Sequence, residues 1–94
     1  MPVYIISLSS PTKGTAWREE YYRLVTPLLA KHRGTIVRTG SVVNLERGTD
    51  WQRGAVIEFP QRADALGFYS DPAYRPAKDL RLAHTDGEAY LIGD

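Results

Sequence analysis

The sequence contains no cysteine. That absence excludes disulfide bridges, thiolate nucleophiles and cysteine-held zinc or iron-sulfur centres, and it suits a reducing compartment. Nor is there a surplus of charge. Twelve Lys and Arg stand against eleven Asp and Glu, interspersed along the chain, and the formal net charge of +1 is too small to steer the protein toward nucleic acid or an anionic membrane. No stretch approaches the ~18 consecutive apolar residues of a membrane span. The opening run, Met1-Pro2-Val3-Tyr4-Ile5-Ile6-Ser7-Leu8, has neither the basic flank nor the longer apolar segment of a secretory signal. A soluble, cytoplasmic protein is expected. Only two histidines are present, His32 and His84, neither with a partner at metal-ligand spacing, so no zinc or non-haem iron site is expected. A nucleophile elbow and a phosphate-binding glycine loop are both missing, and no histidine and acid stand ready to activate Ser9, Ser10 or Ser70. These gaps argue against a hydrolase or a nucleotide-dependent enzyme, and no cofactor is implied.

What remains is globular in composition, with 43% hydrophobic and 24% charged residues in 94. Residues 1–94 make one domain, because two cores would leave each half near the ~40-residue limit below which chains rarely fold alone. Val3 to Leu8 reads as a first strand with two apolar faces, Val3 and Ile5 on one and Tyr4, Ile6 and Leu8 on the other. Trp17, Tyr21, Leu24, Val25, Leu28 and Leu29 then recur at helical spacing. Thr15 is the expected N-cap, Gly34 the expected left-handed terminator, and Pro27 an expected kink. Thr35 to Leu45 reads as a second strand, Gly48 to Arg53 as a hairpin tip around Trp51, and Ala55 to Phe59 as a third strand stopped by Pro60. Gln61 to Tyr69 reads as a short helix. Asp71-Pro72 caps a further helical piece from Ala73 to about Leu82, and an Asp86-Gly87 turn leads into a last strand, Ala89 to Ile92.

The order βαββαβ is the split pattern of the ferredoxin-like α+β fold, in which a four-stranded antiparallel sheet carries its helices on one face. The other face of the first strand is equally apolar. Leaving it wet forgoes ~1.5–3 kcal/mol per side chain, so a second copy of the chain packed sheet to sheet is the expected cover.

Particular residues carry a family resemblance. The run Val56-Ile57-Glu58-Phe59-Pro60, followed by Ala65, Phe68-Tyr69, Ser70, Pro72-Ala73-Tyr74 and Arg81, resembles the domain-of-unknown-function 1330 family. Tyr21 or Tyr22, Pro27, Leu28-Leu29, Lys31, Arg38, Gly40 and Trp51 extend the similarity over nearly the whole chain. The departures are Arg33-Gly34 where the family often has paired glycines, Arg38-Thr39-Gly40 where an arginine precedes two glycines, and Phe68 where tryptophan is common. The resemblance implies a dimeric α+β barrel of two ferredoxin-like protomers, without an established activity. Similar barrels include cofactor-free monooxygenases, lactone isomerases and dehydratases, as well as proteins with no known catalysis, so fold alone does not fix function.

Six residues are candidates for a site. Glu58, a carboxylate between Ile57 and Phe59 in an interior strand, needs a cation or a cavity. Arg38 on the neighbouring strand is the natural partner, either in a structural ion pair at a dimer interface or on the polar floor of a pocket. Arg81 suits a substrate carboxylate or the carbonyls of a helix end. Tyr69 and Tyr74 flank the Asp71-Pro72 turn and serve either packing or a pocket hydroxyl, while one of Tyr21 and Tyr22 falls on the apolar stripe and the other at a rim. His84 is a candidate base as well as a capping residue, and His32 reads as a solvated imidazole at a helix end. Three functions follow. The first is a homodimer binding a small acidic or aromatic molecule between sheet and helices, through Arg38, Glu58, Tyr69, Tyr74 and Arg81. The second is a cofactor-free enzyme, an isomerase or monooxygenase-like, with His84 or Glu58 as base. The third is a structural or regulatory dimer without catalysis. A nucleic-acid reading of the same topology lacks the clustered basic and aromatic residues on a strand.

Overall fold

β-branched and aromatic residues build β1 (Val3–Pro11), and the computed structural model, which describes residues 1–94, pairs it antiparallel on both sides. The chain continues through α1 (Trp17–Lys31), β2 (Thr35–Ser41), β3 (Arg53–Phe59), α2 (Arg62–Ser70), one 3-10 turn (Pro72–Tyr74), α3 (Arg75–His84) and β4 (Thr85–Ile92). Strand order is β2-β3-β1-β4, all antiparallel, the ferredoxin-like α+β arrangement. All helices lie on one face. Val3, Ile5 and Phe59 point into them and are buried with Val25, Leu28, Leu29, Ala65, Phe68, Tyr74 and Ala77. Each large side chain in this set stabilises the fold by ~1.5–3 kcal/mol. On the other face Tyr4, Ile6 and Leu8 are half-buried, and Tyr90 and Ile92 of β4 are more than half exposed.

Local details depart from expectation for identifiable reasons. Thr15 makes no side-chain cap; its carbonyl instead accepts from Arg18 N–H at 3.1 Å, and Ala16 stands at the N-cap. α1 runs unbroken through Pro27, which lies on its exposed side, where solvent can hydrate the carbonyl deprived of a donor. β2 ends at Ser41, four residues early, because the Asn44 side chain bonds the carbonyls of Arg47 and Thr49 and accepts from Glu46 N–H, turning the chain away from the ladder. The piece after Asp71 starts as a 3-10 turn, with Asp71 Oδ1 accepting from Ala73 N–H, and becomes α-helical only at Arg75. Asp86-Gly87 is no turn. Both residues are in β4, opposite Ser10 and Ser9, and a Cβ on Gly87 would stand 2.3 Å from the Leu8 carbonyl oxygen, so glycine here permits close strand approach.

The end of α1 is closed by Arg33, which takes the left-handed conformation at φ 63°. Arg33 N–H bonds Ala30 O and Gly34 N–H bonds Leu29 O, the two bonds of a Schellman ending. Gly34 is needed for a different reason: a Cβ there would lie 2.6 Å from the ring of fully buried Phe59. Beside this ending, the shielded Asp71 carboxylate accepts from Lys31 Nζ at 2.9 Å and meets His32 Nε2 at 2.8 Å. His32, Lys31 and the Ala73 amide together hold Asp71 well below the usual carboxylate range.

Two outcomes follow. Gly34→Ala forces the Phe59 ring off its seat and lowers stability by ~1–3 kcal/mol, measurable by chemical denaturation. Asp71 is ionised more readily in the folded chain than in the unfolded one. Its clip therefore contributes fully above the ordinary carboxylate range and fades as pH falls from about 5. Asp71→Asn melts below the wild type at neutral pH, and the gap in Tm narrows in acid; a gap independent of pH would assign the loss to packing.

Candidate functional site

On the helix-facing side of β1, Val3 and Ile5 give way to Ser7 and Ser9, and on β3 Phe59 and Ile57 give way to Ala55 and Arg53. Small and polar side chains cannot fill the space beneath the first turns of α1. A narrow cleft results, with about 70 Å³ of free space between its walls. The sheet supplies its floor, including Ile36 and Thr39 of β2. Trp17, Arg18, Tyr21 and Tyr22 of α1 and Arg81 of α3 supply the walls.

Three guanidiniums, Arg18, Arg53 and Arg81, line this cleft, and no carboxylate does. None of the three forms an ion pair within the chain. Arg18 lies 6.0 Å over the Trp17 ring. Arg81 is half-buried beside two phenols, Tyr21 and Tyr74, whose hydroxyls meet each other at 3.1 Å. Burial opposes the Arg81 charge, but the Tyr74 and Tyr21 phenols outweigh it and push its pKa up. Burial likewise pushes the Tyr21 phenol far up, so it stays a neutral hydroxyl. The walls are aromatic. Trp17 meets Tyr21 edge-on at 5.6 Å, and Tyr21 meets Tyr22 edge-on at 5.7 Å.

His84, at the end of α3, stacks on Trp17 with ring centroids 6.1 Å apart. Its Nδ1 lies 2.8 Å from the Leu80 carbonyl oxygen, which can only accept; Nδ1 therefore carries the proton, and in the neutral ring Nε2 keeps its lone pair. Tyr74 is almost wholly buried behind Tyr21, with its ring 4.6 Å from Phe68. Tyr69 packs on Tyr74 with ring centroids 5.7 Å apart, beside a groove lined by Leu66 and Tyr90, with Lys78 Nζ 4.7 Å above its ring.

Arg38 and Glu58 occupy the opposite face of the sheet. Arg38 pairs with Val56 across the ladder and lies with Ile6 and Leu8. Glu58 accepts the Tyr4 O–H at 3.0 Å and thereby raises the Tyr4 phenol above its ordinary value. No ion pair joins Arg38 to Glu58. A single pocket uniting them with Arg81 is thus corrected to two faces, because successive residues on a strand point to opposite sides. Tyr69, Tyr74 and Arg81 come together, and His84 reaches the same end of the molecule through Trp17; Arg38 and Glu58 do not join them. Trp17, Arg18, Arg53, Ser7 and Ser9 escaped the sequence reading, although strand parity carried a signal: Val3, Ile5, Ser7 and Ser9 form one face, turning hydroxylic where helix cover stops. No group of three His, Asp or Glu gathers to hold a metal ion.

Solved structures share this fold. A protein of unknown function from Rhodopseudomonas palustris matches with a TM-score of 0.76 and 20% identity, covering 99% of this chain and 82% of its own. The cofactor-independent oxygenase SnoaB from Streptomyces nogalater matches with a TM-score of 0.71 and 16% identity, covering 99% and 92%. A dimeric ferredoxin-like protein of unknown function from Jannaschia sp. CCS1 matches with a TM-score of 0.74 and 14% identity over 100% of both chains. At these identities the likeness is one of fold. No curated protein matches in sequence. The profile of a domain of unknown function, DUF1330, matches residues 2–94. This chain belongs to the DUF1330 family.

Proposed function

We propose that the protein is a homodimer that binds a small, planar, anionic aromatic molecule in the cleft between α1 and the sheet. The composition of that cleft carries the reading: three unpaired guanidiniums and three aromatic rings, with no carboxylate to repel an anion. A planar guanidinium grips a carboxylate through two parallel hydrogen bonds, and Trp17, Tyr21 and Tyr22 offer stacking surface. Arg81 is the anchor because it is half-buried in the cleft wall and has no carboxylate partner within the chain. Arg38, Glu58 and Tyr69 fall outside this proposal.

The homodimer reading rests on the uncovered sheet face, where Tyr4, Ile6 and Leu8 adjoin the exposed Tyr90 and Ile92, and on the Jannaschia relative described as dimeric. No helix is long and apolar enough to cross a membrane.

A second reading, a cofactor-free enzyme on the same class of compound, is favoured by His84. Its fixed Nδ1–H leaves Nε2 as the proton acceptor on a ring stacked against Trp17 of the cleft wall, and Arg81 would hold the anion left by deprotonation. SnoaB, described as a cofactor-independent oxygenase on this fold, is in keeping with that chemistry. Glu58 does not serve as its base, being on the other face with Tyr4.

Calorimetric titration with 2-naphthoate, and with its neutral amide as control, tests the cleft. The wild type binds the acid in preference to the amide. Arg81→Lys melts as the wild type but loses the acid by roughly tenfold or more, the effect of a lost charge-assisted fork. Earlier melting with unchanged binding would make Arg81 structural. For the dimer, Ile6→Asp places a carboxylate on the uncovered face, and light scattering at micromolar concentration shows twice the chain mass for the wild type and a single chain for the variant. A monomeric wild type would overturn the homodimer.

A further inference from the structure

Residues 42–52, between β2 and β3, form a built arm. Asn44 ties three backbone groups of the turn, Trp51 Nε1 donates to Glu88 Oε2 at 3.1 Å, and Gln52 N–H is held by the Ser9 carbonyl and Ser10 Oγ, each at 3.1 Å. Polar struts on this scale fix a segment in place. Yet the arm presents two aliphatic side chains to water, Val43 at 77% and Leu45 at 89% exposure. A braced loop that holds apolar groups in solvent has the form of half an interface.

The arm is continuous with the uncovered face. Leu8 and Val42 line the hollow beside it as well as the surface around Ile6 and Val56. Continuity decides what the arm meets: its apolar groups extend the uncovered sheet face, so whatever covers Ile6, Leu8 and Val56 reaches Val43 and Leu45 as well. We propose that Val43 and Leu45 of each protomer are buried by the second copy, so that the arms clasp the dimer from its rim. This rests on the homodimer reading and adds to it the element that closes the interface.

Sedimentation velocity across a dilution series tests it. Val43→Ser/Leu45→Ser raises the dimer dissociation constant at least about thirtyfold while the helical signal is unchanged, since neither residue packs within its own chain. A second measurement uses the cysteine-free background: in Leu45→Cys the thiol is labelled by a maleimide at least about tenfold more slowly in the dimer than in the dilute monomer. A wild type that stays monomeric overturns the homodimer itself. A wild-type dimer whose dissociation constant is unmoved by the double substitution, with a labelling rate independent of concentration, leaves the homodimer standing and overturns the clasp.

Discussion

β1 lies between β3 and β4, and its two-residue alternation decides what each face of the molecule can do. Odd-numbered residues go beneath the helices, first as core at Val3 and Ile5, then as cleft floor at Ser7 and Ser9. Even-numbered residues go to the uncovered face. A one-residue slip in register would exchange the two sets and destroy core, cleft and face together. The close approach at Gly87 and the long ladder with β4 guard against such a slip.

The carboxylates with side-chain partners in the chain all lie away from the cleft. Asp71 is tied to Lys31 and His32, Asp64 to Arg33, Glu58 to Tyr4 and Glu88 to Trp51. These contacts hold the ends of α1 and α2, the sheet face and the arm. A chain of almost balanced charge thus keeps a locally positive cleft, because no carboxylate lines it and Arg18, Arg53 and Arg81 form no ion pair. Low local dielectric around half-buried Arg81 makes that imbalance count for more than it would at the surface.

Much of the fold was legible because long-period patterns report packing. The α1 stripe, the two-faced β1 and the Asp71-Pro72 cap all describe contacts made by the residues themselves. The misplaced features depend on contacts made elsewhere. Gly34 looked like a left-handed terminator, while Arg33 takes that conformation and Gly34 yields to Phe59, a residue 25 positions on. Asp86-Gly87 has turn chemistry but sits against β1, and Asn44 stops β2 through its own side chain. For the site, residue types were easier to read than directions. Arg81 and Tyr74 could be singled out, yet placing Arg38 and Glu58 required the parity of two strands and the irregular register between Ile36 and Arg38.

Tyr74 belongs to two structures at once. Its ring packs on Phe68 in the core, and its hydroxyl meets Tyr21 at the cleft wall. Divergence among relatives is therefore constrained unevenly around the cleft. Changes at Tyr74 or Tyr21 disturb the core and are purged with the fold, whereas Ser7, Ser9, Thr39 and Arg53 face the cleft from strands whose backbone pairing does not depend on them. Side chains along the floor can change while the aromatic wall stays fixed.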